Sequence, residues 1–214
     1  TGIGSYTAQI SNLTASSTYY VRAYVTNSIG TSYSQHMTIN TYGEPITDIE
    51  GNSYATVKIG TQIWMAENLR TSKYRNGEVI ATTPASENTS VESAPNYQWG
   101  YFGDEELFLT YGRVYTWYAA TDNRGVCPLG WHVPTRTEWM TLITYLGGLV
   151  ESANKLRESG TSHWISPNSG SNNSSGFTAL PGGSRWYMGG TIGGVGQMGY
   201  WWSSTENLSR HAYY

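Results

Sequence analysis

The side chains able to do chemistry are few in this chain, and their spacing serves no obvious reaction. There is one cysteine, Cys127, and four histidines, His36, His132, His163 and His211. No two histidines stand at the helical spacing of a metal pair, and the odd thiol has no partner within the sequence. Asp104-Glu105-Glu106 sets three carboxylates side by side. No alternating Asp/Asn loop surrounds them, so a solvated turn is expected rather than a calcium site. Gly194-Val195-Gly196-Gln197-Met198-Gly199 matches G-x-G-x-x-G letter for letter. That pattern cradles a pyrophosphate only between a strand and a helix N-terminus. Aromatic, strand-like sequence follows it here, and a loop is the expectation. No serine nucleophile, paired carboxylate or Cys/His arrangement stands out either. The residues therefore point away from catalysis, and they imply no cofactor and no metal.

Aromatic side chains offer a different chemistry, because their flat faces stack on sugars and anchor protein interfaces. The chain holds 18 Tyr and 9 Trp but only 3 Phe. Trp186 and Tyr187 fall between glycine-rich blocks. Together with Arg185 and Asn207 they form the candidate ligand-binding surface.

Composition limits what else these residues can belong to. In 214 residues, 12 Lys+Arg against 15 Asp+Glu give a formal charge of −3, and charged residues make up 13%. That is about half the usual share. No apolar run is long enough to span a membrane, and the first residues lack the basic-then-apolar layout of a signal peptide. A mildly acidic chain without Lys/Arg clusters is a poor partner for nucleic acid. So many Trp and Tyr demand burial or a ligand, which argues against disorder. A β-rich, loop-rich extracellular protein is expected.

The elements that must position the aromatics follow from periodicity. Tyr6, Ala8 and Ile10 alternate, as do Tyr19, Val21, Ala23 and Val25, which predicts half-buried antiparallel strands. Asn27-Ser28-Ile29-Gly30 predicts a turn, and Thr31 to Thr41 a third strand. Thr41 to Pro45 breaks the pattern and opens a linker over 43–50. Residues 54–59 and 62–65 predict a hairpin about Gly60. The polar stretch 71–103 predicts a long irregular loop with a tight turn at Asn76-Gly77. Thr135 as N-cap with Glu138 three residues on makes a capping box. Trp139, Leu142, Ile143 and Leu146 continue at helical spacing to Gly147-Gly148. A second helix is expected over 150–158 with Ala153 and Leu156 inward, then a loop over 159–176. Short strands are expected at Phe177–Leu180, Ser184–Met188 and Gly199–Ser204.

Two resemblances sharpen this outline. Leu13 followed by Tyr19 and Val21 resembles the E–F corner of a fibronectin type III domain, where a tyrosine hydroxyl closes the turn against upstream backbone. The match implies the last three strands of a sandwich over 1–42. The second covers about 160 residues. Gly51-Asn52-Ser53-Tyr54, Ile59 to Leu69, Tyr111 to Trp117, Cys127 to Thr135, Gly176 to Gly183 and Gly199 to Thr205 stand in order. Together they resemble the Fibrobacter succinogenes major paralogous domain of bacterial surface proteins and lipoproteins.

That resemblance implies an α+β, C-type lectin-like fold over 51–214, with two short helices, a small twisted antiparallel sheet and a long loop region. It places Trp64, Trp117, Trp131, Trp139, Trp201 and Trp202 inside motifs, hence in the core. Relatives continue into a last strand carrying a cysteine. The resemblance thus implies that the domain lacks that strand here, that the chain is truncated at both ends, and that Cys127 is half of a structural disulfide. From the residues alone, an inert buried thiol and a reactive one remain open. Calcium-dependent lectins pair a Glu-Pro-Asn loop with a Trp-Asn-Asp strand, whereas this chain has Ala94-Pro95-Asn96 and Trp202-Ser203-Ser204. Related formylglycine-generating oxidases need two cysteines. The implied function is a non-enzymatic, secreted or cell-surface adhesion module for a glycan or protein ligand. The alternative is a structural subunit of a surface fibre, self-associated and completed by neighbouring chains.

Overall fold

The computed structural model describes residues 7–101, 104–186 and 192–206. Its first part is a long antiparallel hairpin broken in the middle. β1 (Thr18–Val21) pairs with β4 (Met37–Asn40), and β2 (Tyr24–Thr26) pairs with β3 (Thr31–Tyr33). The expected single strand from Tyr19 to Val25 is therefore two, divided at Arg22-Ala23. There the side chain of Ser34 accepts from Ala23 N while Ser34 N donates to Ala23 O. Residues 7–13 form no strand, contrary to the alternation, because no neighbour pairs with them. Ahead of the hairpin, Thr14 N donates to the Tyr19 hydroxyl at 2.7 Å.

The stretch taken for a linker is strand over much of its length. β5 (Tyr42–Thr47) pairs with β6 (Ser53–Ile59), which pairs in turn with β7 (Gln62–Met65). Pro45 is tolerated because β5 lies at the sheet edge and the register shifts between Gly43 and Ile46. β6 buries Val57 and Ile59 on one face and Tyr54 and Thr56 on the other.

Next come β8 (Gln98–Trp99), α1 (Glu105–Tyr111), β9 (Val114–Tyr115), α2 (Trp117–Thr121), α3 (Arg136–Tyr145), α4 (Leu149–Leu156), β10 (Ser184–Arg185) and β11 (Ile192–Gly193). The architecture is mixed α/β, with four helices and small antiparallel sheets among the described residues. Two helices were expected, and α1 and α2 are additional. Asp104, expected in a solvated turn, caps α1 by accepting from Leu107 N, and Glu105 and Glu106 fill the helix's first turn. Gly112 ends it at φ 74°, where a Cβ would stand 2.7 Å from the Leu69 carbonyl oxygen. The Thr135–Glu138 capping box of α3 is as expected. In α4 Leu156 packs against the core as expected, but the buried residue one turn before it is Ser152, and Ala153 faces solvent.

Two apolar clusters hold these pieces. Val57, Ile59, Trp64, Leu142, Leu146 and Phe177 form one, and Tyr74, Ile80, Ala119, Val126 and Cys127 the other. Of the three late strands expected, only Ser184–Arg185 forms a paired strand; Phe177–Leu180 contributes a single bridge at Ala179, and 199–204 is irregular.

Candidate functional site

A buried indole must find an acceptor for its one N–H, and an irregular loop must find donors for its carbonyls. The segment after Gly199 meets both needs at once. Trp139 Nε1 donates to Trp202 O, Trp117 Nε1 to Ser203 O, Trp202 Nε1 to Tyr115 O and Trp201 Nε1 to Asn68 Oδ1, all within 3.2 Å. Indole tethers thus do here what a strand ladder was expected to do.

These tryptophans border an open cleft of about 1640 Å³, and every tryptophan in the chain except Trp164 lines it. At its floor Trp64 lies 4.8 Å from Trp139 and 6.0 Å from Phe177, which meets Trp201 edge-on. Those rings double as core, as expected for Trp64 and Trp139. The Trp64 Nε1 is buried without a partner.

The opposite wall is the loop 89–95 with Trp99. Here the candidate surface meets the cleft. The Arg185 guanidinium stacks 4.1 Å over the Trp99 ring and donates to the carbonyls of Pro84, Ala85 and Glu87, the last at 2.9 Å. Burial pulls its pKa down, which weakens its hold on the proton. Arg185 is therefore a clamp that fixes the rim. Trp186, next in sequence, is 65% exposed and lines the mouth. Tyr187 and Asn207 lie outside the described residues. The polar run before Trp99 reads only as part of the long irregular loop over 71–103, and its lack of periodicity hides that Trp99 and the 89–95 stretch line the cleft.

The remaining chemical candidates are occupied by structure. Cys127 is buried, and burial pushes its thiol up to about 11, which keeps it protonated at neutral pH. His132 Nε2 lies 2.9 Å from Glu138 and His163 Nδ1 2.8 Å from Glu158. His36 meets the Tyr20 ring edge-on, and His211 lies outside the described residues. The described residues contain no group of three His, Cys, Asp or Glu side chains fit to hold a metal. No described helix is long and apolar enough to cross a membrane. In the G-x-G-x-x-G loop, Gly196 N donates to Pro181 O and Met198 N to Gly194 O, and no helix follows among the described residues. Asn96 of the Ala-Pro-Asn triplet accepts from the Tyr74 hydroxyl and donates to Asp122.

No curated protein and no solved structure matches the chain. The Fibrobacter succinogenes major domain matches residues 57–213, beginning in β6 and taking in every residue that lines the cleft. The chain belongs to the Fibrobacter succinogenes major domain family.

Proposed function

We propose that this chain is a non-enzymatic binding module of an extracellular or cell-surface bacterial protein, and that the tryptophan-walled cleft is its ligand site. The observation that carries the reading is the exposed Trp186 standing at the mouth of that cleft, on a rim braced by Arg185. An exposed aromatic next to a large concave aromatic surface is where a ligand gains most from burial. In finer terms, the cleft-bearing part is a C-type lectin-like domain. The hairpin with the Tyr19 corner is a fibronectin type III-like element preceding it.

The test is a screen of this chain against glycan and protein arrays, repeated with Trp186→Ala. Binding lost in the variant supports the reading. Binding that survives both Trp186→Ala and Trp99→Ala, with folding intact by circular dichroism, overturns it.

A second reading, a fibre subunit completed by neighbouring copies, draws on the hairpin. Tyr20, Tyr24, Val25, Ile29, Tyr33 and Met37 are all exposed on it. Light scattering decides this one: a concentration-independent monomer removes it.

A further inference from the structure

Six side chains on the cleft lining carry or can carry charge: Glu67, Glu92, Arg113, His132, Glu138 and Arg185. Each makes hydrogen bonds within the protein, and Arg185 Nε, which makes none, is buried. Glu67 accepts from Ala55 N and from Arg70, and Glu92 from the Tyr97 hydroxyl. Arg113 donates to Arg70 O at 2.8 Å and to Gln98 Oε1 at 2.8 Å. Glu138 closes the α3 cap through Thr135 and faces His132, while Arg185 holds the 84–87 carbonyls. A charged ligand would have to draw one of these groups from its partner, at the loss of that hydrogen bond or ion pair.

What the cleft leaves available is flat aromatic surface, with serine hydroxyls of the 89–95 loop and of Ser184 at its edge. Its volume of about 1640 Å³ also exceeds the roughly 300–1,000 Å³ of pockets built for small molecules. A sugar ring presents an apolar C–H face for stacking and hydroxyls at its perimeter, and a chain of such rings fills an elongated space. Resting on the reading of this cleft as a ligand site, we infer that its ligand is an uncharged polysaccharide, with one ring stacked on Trp186 at the mouth. Aromatic faces, no unanswered charge and size together favour it over an acidic glycan or a charged peptide.

Affinity gel electrophoresis of this chain tests the inference with a soluble neutral β-glucan, with polygalacturonate as the acidic polymer and with polylysine as the basic one. The neutral glucan is expected to retard the protein, and raising salt from about 0.05 to about 0.5 M to change that by less than about twofold. Trp186→Ala weakens retardation about tenfold. Tyr20→Ala, on the hairpin and away from the cleft, leaves it unchanged. A panel of neutral polysaccharides that all fail to retard the protein overturns the inference. So does Trp186-dependent, salt-sensitive retardation by either charged polymer, though that result leaves the binding-module reading standing. Trp186-dependent capture of a protein on the array, with no glycan bound, also overturns the inference alone. Absence of any Trp186-dependent binding, to glycan or protein, removes both.

Discussion

The hairpin β1–β4 and the cleft-bearing part use the same residue types to opposite ends. Tyr20, Tyr24 and Tyr33 stand exposed on the hairpin, whereas Tyr54, Tyr74 and Tyr101 are buried beside the cleft. Both regions alternate side chains on paired strands, so pattern alone does not separate them. The difference is a second layer. β6 has α3 and the Phe177 segment packed on it, and its inward residues Val57 and Ile59 join Leu142 and Phe177 in one cluster. β2 and β3 have only each other, with Tyr24 against Tyr33 and the Arg22 guanidinium 3.9 Å over the Tyr33 ring. A strand pair without a covering layer gains little from its aromatics. Removing a side chain should therefore matter greatly in one region and little in the other.

The largest effect is expected at Phe177. Its ring is buried and meets Trp64, Trp139 and Trp201, the three indoles of the cleft floor. Phe177→Ala leaves a void that those large rings cannot collapse into, at a cost of about 3–5 kcal/mol. Urea unfolding followed by tryptophan fluorescence measures it. A loss below about 1 kcal/mol would mean the floor is loosely packed, and the contrast with the hairpin would fail.

Next is the buried polar pair beneath β6. The Tyr54 hydroxyl donates to Asp48 at 2.6 Å and accepts from Arg70 N. Tyr54→Phe removes one of the donors to a buried carboxylate and is expected to destabilise by about 1–3 kcal/mol. The same site gives a pH dependence of definite sign. Burial, and then the Asp48 hydrogen bond, push the Tyr54 hydroxyl above the ordinary tyrosine range, and burial pushes Cys127 up to about 11. Both groups hold their protons more tightly folded than unfolded. Their contribution is complete below the unfolded values, near 8.5 for Cys and 10 for Tyr, and is lost as pH rises toward and beyond about 11. Thermal melts between about pH 8 and 11 should show a steady fall, with the upper part reduced in Tyr54→Phe.

A smaller loss, about 1 kcal/mol, is expected for Thr135→Ala, which opens the α3 capping box. Burial alone would raise the Glu138 carboxyl, but the Thr135 N–H, His132 and the Thr135 hydroxyl together hold it below its ordinary value. Melting temperature read at neutral pH checks the loss. This cap was legible in the sequence because every participant lies within four residues. Asp104 is equally local, but with three acids together it reads as a solvated turn until Leu107 N is seen to need an acceptor. The Trp201-Trp202-Ser203 segment reads as a strand because strands favour aromatics. The indoles of Trp117 and Trp139, residues distant in the chain, instead tether it by donating to its carbonyls. The family motifs located the cleft floor in the sequence. The far wall depends on Arg185 reaching Trp99 and the 84–87 carbonyls, a long-range pairing with no local periodicity to announce it.

The smallest effect is expected where the comparison began. Tyr24 is 72% exposed on β2, and its ring neighbour is the cross-strand Tyr33 at 6.1 Å. A cross-strand aromatic pair contributes roughly 0.2–1 kcal/mol, and an exposed site lies at the low end of that range. Tyr24→Ser should therefore change the free energy of urea unfolding by no more than about 0.5 kcal/mol, with an unchanged m-value. Measuring it at two protein concentrations sharpens the contrast. An effect as large as that of Thr135→Ala, growing with concentration, would mean that another copy covers the hairpin in solution. In that event the missing second layer is supplied between chains, and the fibre reading gains over a hairpin that stands alone.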